Sequence, residues 1–161
     1  LALAAVAARG GRGRIVSEQG NFPTDLYVLQ GLARVCPEVE VLTVPRAGLA
    51  RALEDGAALV VLTHVHYKSG EMYSLAETTR LAHEAGALML WDLSHSVGAV
   101  PLDLGAANAD LAVGCTYKYL NGGPGAPAFL FVREGLQREL VSPMCGWMGH
   151  ASPFALADDY D

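Results

Sequence analysis

Short apolar runs alternate along the chain with polar stretches of helical period, each bounded by glycine, proline or a small polar residue. "RIVSE" (14–18), "VEVLTV" (39–44), "ALVVLTH" (58–64), "ALMLWD" (87–92) and "LAVGC" (111–115) read as strands. Several are apolar throughout, the pattern of strands covered on both faces by helices. Between them, Leu26, Leu29, Leu32 and Ala33 fall at helical spacing within 24–35, and Leu49 and Leu53 lie one turn apart within 47–55. The best-marked helix spans about 75–85. Ser74 and Glu77 form a capping box ahead of it, and Gly86 stands where a left-handed residue closes a helix. "LALAAVAA" (1–8) carries no basic leader and reads as helix in a fragment, not as a signal peptide.

Alternating strands and helices predict an α/β fold: a mostly parallel sheet with helices on both faces. "APAFLFV" (126–132) follows a glycine turn too closely for a helical crossover, so it is expected to pair antiparallel with a neighbour or lie at an edge. No repeat or linker interrupts the chain, which reads as one domain over 1–161, truncated at both ends.

Composition narrows the function classes. The 161 residues are 52% hydrophobic with a net charge of -6 and no basic run, which gives no electrostatic footprint for nucleic acid or an anionic membrane surface. No apolar stretch reaches the roughly 20 residues needed to span a bilayer, so a soluble protein is expected. Cys36, Cys115 and Cys145 are odd in number and widely spaced, which argues against a disulfide framework or a structural zinc site and favours a reducing cytoplasm. Cys115 is expected to be an inert buried thiol, and His83, inside the capped helix, a surface residue.

In an open α/β sheet, ligands bind beyond the carboxyl ends of the strands. Those ends supply Asn21 to Asp25, then Thr63, His64 and His66, then Asp92 and His95, and finally Tyr117 and Lys118. Asp92 ends a buried strand, where a carboxylate needs a cation or strong donors. Lys118 is one candidate partner for it; alternatively both grip one ligand. A pyridine ring would satisfy both, with Asp92 holding the ring nitrogen protonated and the lysine amine forming an imine with an aldehyde, which describes pyridoxal phosphate. A second reading places a hydrolytic metal on His64, His66, Asp92 and His95. It leaves Lys118, Tyr117 and the glycine turn without work. "GGPG" (122–125) lacks the ending of a phosphate loop and reads as a tight turn, while "GGRG" (10–13) precedes a strand where a dinucleotide fingerprint would follow one.

Five ordered segments carry a more specific likeness: "GNFPTDLY" (20–27), "LTHVHYKSG" (62–70), "WDLSHSVGAVPLDL" (91–104), "ANADLAVGCTYKYLNGGPGAPAFLFV" (107–132) and "GWMGH" (146–150). On them the chain resembles the kynureninases, pyridoxal-phosphate hydrolases of the aspartate aminotransferase fold (fold type I). The resemblance implies that Lys118 is the lysine that carries the cofactor covalently and Asp92 the partner of the pyridine nitrogen. It implies cofactor contacts at His95, at Phe22 stacked on the ring with Pro23, Thr24 and Asp25 completing that loop, and at Thr63, Tyr117 and Trp147, the last two near the phosphate. Tyr117 is implied as a proton donor late in the reaction.

The implied activity is hydrolysis of L-kynurenine, or 3-hydroxykynurenine, to anthranilate or its 3-hydroxy form and L-alanine, in tryptophan catabolism and NAD biosynthesis. The implied context is a cofactor-binding large domain of a homodimer, represented here in part, with a small C-terminal domain outside it. Two positions depart from the family pattern: His66 stands where asparagine is expected and Met148 where tryptophan is expected. Arg133 and Arg138 fall in no matching motif, so neither is assigned to the substrate carboxylate. A cysteine desulfurase or another class V aminotransferase is the rival within the fold. Trp147 and "DLSH" (92–95) favour the kynureninases, and a fragment that folds without catalysis is the remaining alternative.

Overall fold

The structure is a computed structural model that describes residues 1–11 and 13–161. Its strands are β1 (Gly13–Glu18), β2 (Val39–Val44), β3 (Leu59–Thr63), β4 (Leu88–Asp92), β5 (Leu111–Cys115) and β6 (Ala128–Val132). They form one sheet in the order β2-β1-β3-β4-β5-β6, parallel except for the antiparallel pair β5 and β6. All six runs read from the sequence are strands, and the last is both antiparallel and at an edge.

The apolar runs divide residue by residue between two cores. Val16, Val60, Leu62, Met89, Trp91 and Ala112 face one side, where Leu49 and Leu53 of α3 (Leu49–Leu53) and Ala82 of α4 (Leu75–Glu84) cover them. Ile15, Leu59, Val61, Leu88, Leu90 and Leu111 face the other, beneath Ala5 and Val6 of α1 (Ala2–Ala8) and Leu29 and Leu32 of α2 (Pro23–Val35). Successive side chains of a strand point to opposite faces, so a run apolar at every position is what a sheet covered on both sides requires.

The helix at 75–85 begins as its capping pattern predicts: Ser74 Oγ accepts from the Glu77 backbone N–H, and Gly86 takes the left-handed φ of +75°. The 47–55 prediction is shortened, because Arg46–Gly48 forms a separate 3-10 turn. "GGPG" is a turn, as read. Asn121, Gly123 and Gly125 have positive φ, and Gly122 N–H donates to Thr116 O, which brings the chain straight back from β5 to β6.

His83 is not a free surface residue. Its Nε2 lies 2.7 Å from Asp110 Oδ2, and Asp110, wholly buried at the start of β5, also accepts from Arg133 Nη2 at 2.9 Å and from the Met89 backbone N–H at 2.8 Å. A carboxylate taken out of water at that depth needs several donors, and α4, β4 and the residue directly after β6 each supply one. Among the described residues, no helix is long and apolar enough to cross a membrane.

Candidate active site

β2 and β3 lie on either side of β1, so the chain reverses its direction of build between β1 and β3. A crevice opens beyond the carboxyl ends of the strands at such a point. Asn21 and Phe22 follow β1, Thr63 ends β3, Asp92 ends β4, His95 sits in the turn after β4, and Lys118 follows β5. The sheet register pairs Thr63 with Asp92, which brings the two side by side.

Thr63 Oγ1 is the hub. It hydrogen-bonds Asn21 Oδ1 and lies 3.3 Å from both Asp25 Oδ2 and Asp92 Oδ2. Asp92 is buried, and its other oxygen accepts from the Ser94 backbone N–H at 2.9 Å. Asp25, in the first turn of α2, has its carboxyl pushed up to about 6, first by burial and second by the charge of Asp92.

Lys118 does not pair with Asp92. Its Nζ lies 3.0 Å from His95 Nε2, 5.5 Å from the Phe22 ring centroid and 5.6 Å from that of Tyr117. The His95 imidazole is held below its ordinary value, first by burial and then by the positive charge of Lys118. His95 Nδ1 is buried with no hydrogen-bond partner among the described residues.

Phe22 is the N-cap of α2, with Pro23 at the first helical position, where a missing N–H costs nothing. The Phe22 amide donates to Asn21 Oδ1 at 2.8 Å, which fixes the loop that presents its ring. Thr24 is exposed in the next position. Tyr67 meets the Phe22 ring edge-on at 5.2 Å and lies 6.4 Å from His95, so the loop after β3 adds an aromatic wall. The sequence reading missed Tyr67. Its signal was the aromatic directly after His66 in "HVHY", visible only once that loop is seen to fold back over Phe22.

Two histidines of the metal reading, His64 and His66, are engaged elsewhere. His64 is buried against Ser96, Nδ1 to Oγ 2.8 Å. His66 Nε2 meets Gly20 O at 3.0 Å, and its Nδ1 accepts from the Ser69 backbone N–H at 3.2 Å. Both His66 ring nitrogens are therefore occupied, and the described residues contain no cluster of three or more metal-ligating side chains. Cys115 is half-buried, with Sγ 3.9 Å from Ser94 O. Trp147 is not brought to this cluster: its exposed ring packs on Phe154 at 5.8 Å in the segment after β6.

A ring with a protonated nitrogen at one end and a carbonyl carbon at the other fits these residues. Among the described residues the buried Asp92 carboxylate accepts from the Ser94 amide and pairs with no cation, the Lys118 amine has no carboxylate partner, and His95 Nδ1 is left without a hydrogen bond. Phe22 and Tyr67 supply apolar walls.

Residues 28–150 match the family model "Aminotransferase class-V". The chain is 52% identical over 149 residues to a kynureninase of Burkholderia mallei, covering 91% of this chain and 36% of that protein. It is 49% identical over 159 residues to a kynureninase of Deinococcus radiodurans, covering 99% and 39%. It thus spans less than two-fifths of the length of these relatives. Among solved structures it is similar to an alanine–glyoxylate aminotransferase from Nostoc (TM-score 0.66, 25% identity, 86% of this chain and 38% of that one). It shares its fold with a cysteine desulfurase from Thermococcus onnurineus (TM-score 0.73, 23% identity, 89% and 38%).

Proposed function

Because this chain belongs to the class V aminotransferase family, we propose that the full-length protein is a kynureninase that binds pyridoxal phosphate through Lys118 and cleaves kynurenine or 3-hydroxykynurenine. The observation that carries the reading is the separation of Asp92 from Lys118. Among the described residues, a carboxylate without a cation and an amine without an anion stand at neighbouring strand ends, as the two ends of one ring would need. When bound, that ring supplies an electron sink for a carbanion next to the amino group of the substrate.

The chain's own residues do the rest. Asp92, held by the Ser94 amide, would direct its charge at the ring nitrogen, and the packed pair of Phe22 and Tyr67 would offer the ring an apolar surface. Lys118 would carry the covalent attachment, and its free amine would take a proton from the substrate α-carbon. His95, kept neutral by burial and by Lys118, holds that amine through Nε2 and offers Nδ1 as a second polar atom to whatever enters. Tyr117, half-exposed beside Lys118, would give a proton once water has added to the γ-carbonyl and the bond between the β and γ carbons breaks. Pro23, Thr24 and Asp25 form the first turn of α2 directly after Phe22, and Trp147 is assigned to the phosphate end on resemblance alone.

Within this reading, residues 1–161 are part of the cofactor-binding large domain, the full-length protein is a cytoplasmic homodimer, and its product enters NAD biosynthesis. Borohydride reduction of the full-length protein with pyridoxal phosphate, followed by peptide mapping, should place the pyridoxyl group on Lys118. An adduct on another residue, or none, sinks the cofactor assignment. Anthranilate fluorescence on kynurenine, with L-cysteine as the competing substrate, separates the kynureninase reading from a desulfurase.

A further inference from the structure

The hydrogen bonds behind Thr63 have a polarity that can be read without ambiguity. Ser17 Oγ donates to Val61 O at 2.8 Å, which leaves its oxygen to accept from Asn21 Nδ2 at 3.2 Å. The Phe22 amide donates to the other Asn21 side-chain atom, which must therefore be the oxygen. That oxygen only accepts, so the bond between it and Thr63 Oγ1 exists only if Thr63 donates. A hydroxyl has one proton. With that proton committed to Asn21, Thr63 Oγ1 turns lone pairs toward Asp25 Oδ2 and Asp92 Oδ2, both 3.3 Å away.

We propose that Asn21 is a positioning residue of the site: by taking the Thr63 proton it makes the Thr63 oxygen an acceptor, which keeps one proton on the Asp25–Asp92 pair, and keeps it on Asp25. Three lone-pair-bearing oxygens with no proton between them would repel in a buried pocket. The proton falls to Asp25 because the Ser94 amide already donates to Asp92 Oδ1, whereas among the described residues the Asp25 side chain hydrogen-bonds only with Thr63. The other charged or titratable groups facing the pair are Lys118, from the loop after β5, and His95, from the turn after β4. Burial first, and the charge of Asp92 second, push the Asp25 carboxyl upward, which favours the proton on Asp25. Where the site carries the cofactor proposed above, the consequence is one net negative charge at the ring nitrogen instead of two. That consequence rests on the cofactor reading, but the proton assignment does not.

The test follows the side-chain carboxyl carbon of Asp25 by 13C NMR in the full-length protein, first free of cofactor and then with pyridoxal phosphate, across a pH titration. In the cofactor-free protein the Asp25 midpoint should lie near 6. Asn21→Ala frees the Thr63 proton to turn toward the carboxylates, so the proton affinity of Asp25 should fall about tenfold, one pH unit. Asn21→Asp keeps the acceptor and should not lower it. Thr63→Val decides the sign independently of whether the Asn21 variants fold. If Thr63 accepts from Asp25, losing its oxygen lowers the midpoint; if Thr63 donates, losing its proton raises it. A wild-type Asp25 that ionises below about pH 5, a midpoint unmoved by Asn21→Ala, or one raised or unmoved by Thr63→Val overturns the proposal. Failure of cofactor binding leaves the titration in the cofactor-free protein intact, so the two readings fall separately.

Discussion

At the scale of single residues, most of the candidate site was legible at strand ends, and the exceptions are residues whose partners are distant in sequence. Asp92 and Lys118 were legible because each follows an apolar run. That Lys118 meets His95, and not Asp92, depends on how the turn after β4 curls back, which no spacing encodes. His83 was misread for the same reason, since Asp110 lies 27 positions away. The raised Asp25 carboxyl yields a stability prediction. A folded-state value of about 6 against an ordinary 3.8 means that the folded chain holds this proton more tightly than the unfolded one. Its contribution is therefore full below about 3.8 and lost as pH rises through about 6. Asp25→Asn should then raise the thermal midpoint of the cofactor-free full-length protein at pH 8 and give no such gain at pH 4. An equal effect at both pH values would place the cause elsewhere. His64 and His95, both held low by burial, oppose this trend on the acid side, so only the difference between variant and wild type isolates Asp25.

At the scale of elements, the strands were legible because full coverage of a sheet leaves a continuous apolar signature. The short helices were less so. Leu49 and Leu53 marked α3, but Pro45 and Gly48 tighten the preceding turn into a 3-10 segment that helical periodicity does not distinguish. The turn that carries His95 and the loop that carries Lys118 are pressed together through glycine. A Cβ at Gly98 would stand 2.6 Å from Tyr119 O, and Gly98 already has a φ of +82°. Gly98→Ala should cost about 1–2 kcal/mol in backbone strain alone. It should also displace the 116–121 loop, so pyridoxal phosphate affinity should fall by more than the stability loss accounts for. Equilibrium cofactor binding measured beside denaturant unfolding checks both parts. Unchanged binding would mean that the loop absorbs the methyl group without moving Lys118.

At the scale of the whole molecule, the fold class was legible from alternation alone, and the antiparallel sixth strand from the brevity of the turn before it. The order of strands was not, because it is set by which crossovers pass to which side of β1. The sheet also has two chemically different ends. The Thr63–Asp92–Lys118 cluster occupies the carboxyl ends, while Asp110 ties α4, β4 and β6 together at the opposite one. Asp110→Ala should destabilise the full-length protein by about 3 kcal/mol, since it strands the buried Met89 amide and unpairs Arg133 and His83. Denaturant unfolding reads that loss, and the folded fraction should still carry its borohydride adduct on Lys118. Met89 and Asp92 lie three residues apart on one strand, roughly 10 Å. That separation is enough for changes at the two ends to add without coupling. The Asp110 cluster is thus a reservoir of stability that evolution or an engineer can draw on to offset a costly substitution at the opposite end, without the repair altering the candidate site it protects.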